Sequence, residues 1–188
     1  MARFEDAIGV ILEHEGGLVD HKSDPGGVTN WGVSLRFALS TLKQDKDKDG
    51  WLDGDIDHDG DVDADDIRKM KREDAVKIYR LHFWKDIYGD IVSQSIATKL
   101  FDMAVNMGAG QAHKILQRAV NKCGDTIDVD GGFGPNTLSH LNVQINKRSE
   151  RYFLSVLRQE AWEFYQNLIK QKPELAAFEK GWKNRAFS

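Results

Sequence analysis

Two carboxylates near the start of the chain, Glu15 and Asp24, stand nine residues apart in the stretch His14-Glu15-Gly16-Gly17 … Ser23-Asp24-Pro25-Gly26-Gly27-Val28-Thr29-Asn30-Trp31-Gly32. Acid–base cleavage of a sugar acetal needs two carboxyl groups in unlike surroundings, one protonated to supply the leaving oxygen and one ionised. The elements around this pair are suited to making that difference. Phe4, Ile8, Ile11 and Glu15 recur at intervals of four, three and four, so they share one face of a helix, and Ala7 and Leu12 widen its apolar stripe. Glu15 stands where a hydrophobic residue is expected. Apolar packing strips hydration from a carboxyl, disfavours its charge and raises its pKa, as a proton donor near neutral pH requires. Gly16-Gly17 then ends the helix. The alternative is that Glu15 turns to solvent at a frayed helix end.

The loop that follows has its own logic. Pro25 stiffens the turn after Asp24, and Gly26-Gly27 permit positive φ and close backbone approach. Asp24 is thereby set on a rigid turn, with Thr29 and Asn30 following as groups able to hold a water or the second carboxylate. A plain Asx-type turn without chemistry is the competing reading.

A second constellation lies at residues 45–66, DKDKDGWLDGDIDHDGDVDADD. Asp55, Asp57 and Asp59 alternate, Gly60 follows, Val62 holds the hydrophobic eighth position and Asp66 the twelfth. This is the spacing of an EF-hand calcium loop with Asp at its end, as in dockerin-type loops, and the carbonyl of Asp61 is its seventh-position ligand. Asp63 is placed to add a ligand through water. A weaker loop precedes it. Asp45, Asp47, Asp49 and Gly50 repeat the opening, but the twelfth position is Ile56, so Asp53 or Asp55 has to complete the sphere. So many hard oxygen ligands suit Ca2+ over Zn2+, and the expected role is structural, with one strong site and one weaker. The alternative is a solvated acidic linker.

The acidic block also decides how the overall charge is read. It holds eleven of the thirty acidic residues and two lysines, a charge of −9 out of a total of −4, leaving +5 on the other 166 residues. The body is mildly basic and suits an anionic polymer. No His pair has zinc spacing, and the single Cys123 forms no disulfide and has no histidine partner in any motif, so metalloprotease and thiol chemistry are unsupported. The first residues carry Arg3, Glu5 and Asp6 on a helical pattern rather than a signal-peptide pattern, and no run of about 20 apolar residues is present. A protein made in the cytoplasm, monomeric, without membrane insertion or nucleic-acid partner is expected.

The pattern E-G-G … D-P-G-G-x-T-x-x-G resembles the N-terminal signature of glycoside hydrolase family 108, phage-type peptidoglycan hydrolases. Glu73–Arg80 with Phe83-Trp84 resembles the family's next helix. Leu100–Gly108, Asp130–Thr137 and Lys180–Arg185 are similar, in order, to its C-terminal peptidoglycan-binding region. The resemblance covers nearly the whole chain apart from residues 45–66. It implies an N-acetylmuramidase-type endolysin in which Glu15 is the catalytic acid. The spacing to Asp24 is similar to the carboxylate pair of phage lysozymes, whose threonine falls near Thr29 and Asn30. It also implies peptidoglycan as partner, action in the bacterial periplasm or cell wall, and reliance on a holin for export.

The expected fold is therefore mainly α and lysozyme-like, with a small β-hairpin between about Leu18 and Gly32 and an EF-hand-like insert. A catalytic region over 1–93 and a helical peptidoglycan-binding region over 94–188 are expected to pack as one unit. Helices are expected over Val33–Leu42, from about Asp66 through Met70 to Ala75, and from about Asn146 to Lys170. Asp102 and Asn106, four apart on a helix, can reach the cleft; the resemblance to lysozyme-like proteins implies Asn106 as a substrate contact, with helix capping before Gly108 as the alternative. A carboxyl separation of ~6.5–9.5 Å makes such an enzyme inverting and ~5–5.5 Å retaining. Two other functions fit parts of the pattern: a non-catalytic calcium-dependent wall-binding module, which releases no reducing sugar, and a chitinase, which cuts chitooligosaccharides but not wall.

Overall fold

The computed structural model describes residues 1–15, 17–20 and 27–188, with the backbone alone at 14 and 15. It divides into two compact units, Phe4–Lys85 and Asp86–Ser188, the latter including Met1–Arg3. The family-like resemblance placed the divide at 93/94.

In the first unit, helix α1 (Phe4–Glu15) buries Phe4, Ala7, Ile8, Ile11 and Leu12, the stripe read from spacing. Phe4 meets the Trp84 ring edge-on at 5.6 Å and carries the Arg80 guanidinium 5.5 Å above its face. The chain then folds back. Val19 and Thr29 exchange both backbone hydrogen bonds, 2.8 and 2.9 Å, and close the base of the segment between them. Thr29 continues into a two-stranded antiparallel hairpin, β1 (Thr29–Asn30) and β2 (Val33–Ser34), with Asn30 opposite Val33. Its turn is Trp31-Gly32, with φ of 51° and 79°; a two-residue turn of this hand matches strand twist. The hairpin thus pairs forward onto β2, where a helix was expected from Val33. Ser34 instead caps a shorter helix, α2 (Leu35–Thr41), by accepting the Phe37 N–H at 3.2 Å.

The insert follows, and then α3 (Ala64–Lys69) and α4 (Arg72–His82). These were expected as one helix. Met70 breaks it with an extended ψ of 126°, and Asp74 accepts the Lys71 N–H at 2.8 Å to start α4. Two tertiary contacts, described below, use the carbonyls that the break leaves unpaired. Gly54, at the joint of the two acidic loops, is pressed against the end of α2. Its N–H bonds Leu42 O at 3.1 Å, and a Cβ there would stand 2.8 Å from the Leu42 Cβ.

The second unit is helical throughout: α5 (Gln94–Met107), α6 (Ala109–Lys122), α7 (Pro135–Arg148), α8 (Glu150–Gln171) and α9 (Glu179–Phe187), with 3-10 turns at Asp86–Asp90 and Pro173–Phe178. Helix α6 packs on α5 and α8, and α8 packs on α7 and α9. The helix expected over 146–170 is two. Ser149, at φ 79° and ψ 149°, ends α7, and its hydroxyl accepts the Tyr152 N–H at 3.4 Å to start α8. Cys123 is buried, and burial pushes its thiol pKa up, so it is a packing residue.

Two buried side chains on α6 anchor the Asp130–Gly134 loop. His113 bonds Tyr88 Oη through Nε2 at 2.6 Å and Gly131 O through Nδ1 at 2.9 Å. Gln117 accepts the Gly131 N–H at 2.9 Å and donates to Asp130 Oδ1 at 2.8 Å and Gly132 O at 2.9 Å. Gly131 has φ +83°, and a Cβ there would lie 2.8 Å from Gly110 O. Gly131→Ala therefore combines a left-handed backbone with a backbone clash, and is expected to cost more than about 1 kcal/mol in urea denaturation. Gly181→Ala, in a helix with open space, is expected to be neutral or to gain about 0.5–1 kcal/mol.

Candidate functional site

Glu15 is the last residue of α1, and Asp24 lies outside the described residues. The described residues nearest to them are Gly17–Asp20 and those from Gly27 on. The Val19–Thr29 bridge joins these two stretches. Beside that bridge, α3 contacts both flanks. On one side Arg68 Nε meets Asp20 Oδ2 at 3.1 Å. On the other, Asn30 donates both amide hydrogens, to Ile67 O and to Met70 O, each at 3.0 Å. Thr29, on β1, is half-buried.

Asn30 was expected at the substrate. It is 5% exposed, and its amide N–H groups are committed to helix carbonyls, which braces the hairpin against α3. The Met70 break supplies one of those carbonyls. Tyr79 Oη adds a third tie by donating to Trp31 O at 3.1 Å.

The acidic insert folds as two like loops offset by ten residues. In the first, Asp45 accepts the N–H groups of Asp49 and Gly50, each at 3.0 Å, and Asp49 accepts that of Trp51 at 3.0 Å. In the second, Asp55 accepts those of Asp59 and Gly60 at 3.1 and 3.0 Å, and Asp59 that of Asp61 at 3.2 Å. Lys48 and His58 match at φ 62° and 61°, as do Gly50 and Gly60 at 97° and 101°. The loops differ in closure. Asp66 binds the N–H of Ile56 at 2.7 Å and that of Asp63 at 2.7 Å, and it is 1% exposed. In the first loop the equivalent N–H, that of Lys46, goes to Asp53 Oδ1 at 3.1 Å. Asp53 thus takes the closing place that Ile56 leaves empty of a carboxylate. Its other oxygen meets His82 Nε2 at 2.8 Å. Burial pulls the His82 pKa down, and Asp53 opposes the shift.

Carboxylate oxygens converge within 4.8 Å of one another at Asp45, Asp47 and Asp53, at Asp55, Asp57 and Asp66, and at Asp61, Asp63 and Asp66. Asp49 and Asp59, expected as fifth-position ligands, are outside these groups; each spends an oxygen on a turn N–H. Asp61 was expected to ligate through its carbonyl, and its side chain joins the third group. Cations of the chain already lie on the clusters: Lys77 bridges Asp47 at 2.9 Å and Asp49 at 2.7 Å, and Lys69 meets Asp57 at 2.5 Å. Those lysines lower the pKa values of Asp49 and Asp57, whereas the charge of Asp59 foremost raises that of Asp61. Asp57 Oδ1 is buried without a hydrogen-bond partner beside Asp55 and Asp66. An all-oxygen set with such an orphaned atom fits a hard cation.

In the second unit Asn106 Oδ1 accepts from Tyr165 Oη at 2.6 Å, tying α5 to α8, so one of its polar atoms serves packing. Burial pushes the Tyr165 pKa up to about 12. Asp102 is buried and paired with Arg185 at 2.9 Å. The bracing role of Asn30, the contacts of Arg68 and Lys77 and the Asp53–His82 pair are not visible in the sequence pattern. The ten-residue repeat was the legible signal for Asp53. The others depend on contacts 28 to 48 residues apart in sequence.

The model of the Glycosyl hydrolase 108 family matches residues 8–108, and that of the Predicted Peptidoglycan domain matches residues 111–187. Among solved structures, Brucella abortus SagA is similar at 26% identity and a TM-score of 0.66, over 97% of this chain and 88% of that one. No curated protein matches. Among the described residues no helix is long and apolar enough to cross a membrane.

The brace yields a direct expectation. Asn30→Leu leaves two buried carbonyls without donors, and Asn30→Asp sets a carboxylate against them. Unmet buried groups cost about 1–3 kcal/mol each, more for charge. In urea denaturation Asn30→Asp is expected to be the more destabilised, whereas a substrate contact would leave stability near wild type in both.

Proposed function

We propose a muramidase-type reaction from one premise: the chain belongs to the glycosyl hydrolase 108 family. It is a glycoside hydrolase with a role at peptidoglycan, in keeping with the peptidoglycan domain matched over residues 111–187. The bond proposed is the β-1,4 glycan linkage. Glu15, at the end of the apolar stripe of α1, protonates the leaving oxygen as general acid. Asp24 stabilises positive charge at the sugar or activates a water. With the Asn30 amide committed to α3, Thr29 takes the hydroxyl role and holds the water. The observation that supports the reading is the backbone bridge between Val19 and Thr29, which sets Thr29 beside the chain four residues after Glu15. In this reading the protein works as a phage-type endolysin, monomeric and released to the wall by a holin.

Glu15→Gln is expected to fold as wild type and to release no reducing ends from purified sacculi. Asp24→Asn is expected to retain a small residue of activity. Mass analysis of the released muropeptides identifies the reducing sugar, and muramic acid at that end is expected. Release of chitooligosaccharide products without wall products would mark a chitinase. A folded Glu15→Gln chain that lyses normally would remove Glu15 as the acid.

For the insert we propose Ca2+ as a structural ion, held by Asp55, Asp57 and Asp66 with Asp59, Asp61 and Asp63 nearby, and more weakly by Asp45, Asp47 and Asp53 with Asp49 nearby. The ion would offset the mutual repulsion of these carboxylates and fix the start of α3; it supplies no catalytic step. A ligand bound only by the folded state adds about 2.7 kcal/mol at a hundredfold excess over Kd. Chelation is therefore expected to lower Tm in calorimetry. Asp66→Ala should erase most of the difference, and Asp45→Ala less. Equal Tm with Ca2+ and with chelator, and no metal in elemental analysis, would leave the insert as a charged linker.

A further inference from the structure

Two adjoining hollows lie along α8, and none of the chemistry above uses them. The larger, about 450 Å3, has Arg118, Lys122, Glu160 and Glu163 as its charged lining. Arg118 Nε meets Glu160 Oε2 at 3.1 Å, and Lys122 meets both Glu160 and, at 3.0 Å, Glu163. Two cations answer two anions, so this lining has no net charge and does not select a polyanion. What remains for a ligand is the half-buried Phe164 ring with the carboxamides of Gln111 and Asn167. The second hollow, about 350 Å3, shares Lys122 and is otherwise uncharged: Tyr152, Ser155, Val156 and Gln159. Tyr152 is 46% exposed. From Tyr152 to Phe164 is twelve residues of helix, about 18 Å of rise, the span of a short oligosaccharide.

These are the groups that recognise a neutral sugar chain. Aromatic faces pack on the C–H faces of pyranose rings, carboxamides and hydroxyls pair with hydroxyl and N-acetyl groups, and Val156 offers an apolar surface to an acetyl methyl. Hollows of this size accommodate small ligands. We propose that the two hollows form one subsite for a linear N-acetylhexosamine chain, the chemistry common to peptidoglycan glycan and chitin. The subsite binds and contributes no catalytic group. The inference rests on the reading of residues 111–187 as directed to peptidoglycan, and it is independent of the role of Glu15.

Binding is read with the full chain carrying Glu15→Gln, by co-sedimentation with purified sacculi and by calorimetric titration. The calorimetric probes are chitotetraose and glycan strands stripped of peptide. Tyr152→Ala with Phe164→Ala is expected to weaken sacculus binding about tenfold, from the loss of two aromatic contacts. In the Glu15 background KM for sacculi should rise by a like factor while kcat holds. Exposed Asn167→Ala, which leaves Phe164 in place, should weaken binding in the same direction and decides the matter if the double variant unfolds. Equal binding of both soluble probes shows that the shared sugar is read; binding of stripped strands alone shows that the lactyl group of muramic acid is also read. Unchanged sacculus affinity in the folded variants, or no binding of either probe, overturns the subsite and leaves the charged residues as a clamp between α6 and α8. A wild-type chain that binds sacculi through these residues but releases no reducing sugar overturns the glycosidase reading and leaves the subsite standing.

Discussion

Two amide hydrogens, those of Asn30 on the carbonyls of Ile67 and Met70, join the hairpin to the helix that the acidic insert leads into. Helix α3 is only six residues long, too short to persist on its own propensity. It forms because Asp63 and Asp66 satisfy its first N–H groups in a capping box, because Ile67 is fully buried, and because Asn30 takes carbonyls at its end. Arg68 on the same helix holds Asp20. The short helix therefore depends on the insert for its start and grips both flanks of the segment that carries Asp24.

The two units manage buried carboxylates by different means. In the insert, Asp55 and Asp66 are buried and accept backbone N–H groups. In the helical unit, buried Asp102 and Glu160 are each met by arginine and lysine. Breaking such a pair by removing one partner leaves an uncompensated charge, whereas the pair itself adds little net stability. The second arrangement fixes helices. The first leaves oxygen lone pairs turned toward one another, an arrangement that invites a cation from outside the chain.

Much of this was legible in the sequence because its causes are local. The apolar stripe of α1 is a matter of spacing. The alternate aspartates with Gly50 and Gly60 specify turns in which each N–H finds a carboxylate a few residues back. What was not legible depended on distant partners. Asn30 reads as a polar residue beside the glycine-rich loop of Asp24, and only the carbonyls of residues 67 and 70 make it a brace. The expected helix through Met70 has good periodicity, but tertiary hydrogen bonds to the freed carbonyls outweigh one more turn. Ser149 has no helix-breaking signature, yet it divides the long helix at a left-handed φ.

Linkage follows from this architecture. Asp66 accepts N–H groups from Ile56, Asp57 and Asp63, so it joins the start of the second acidic loop to the first turn of α3. Any free energy that favours convergence of Asp55, Asp57 and Asp66 also favours that turn, and with it the carbonyls that hold Asn30. Under the proposed occupancy by Ca2+, binding energy would reach the hairpin through three successive hydrogen-bonded steps, with no change of fold. The reverse holds as well: a hairpin held in place by a bound glycan would raise the affinity of the insert for its ion, since coupling between two sites is reciprocal.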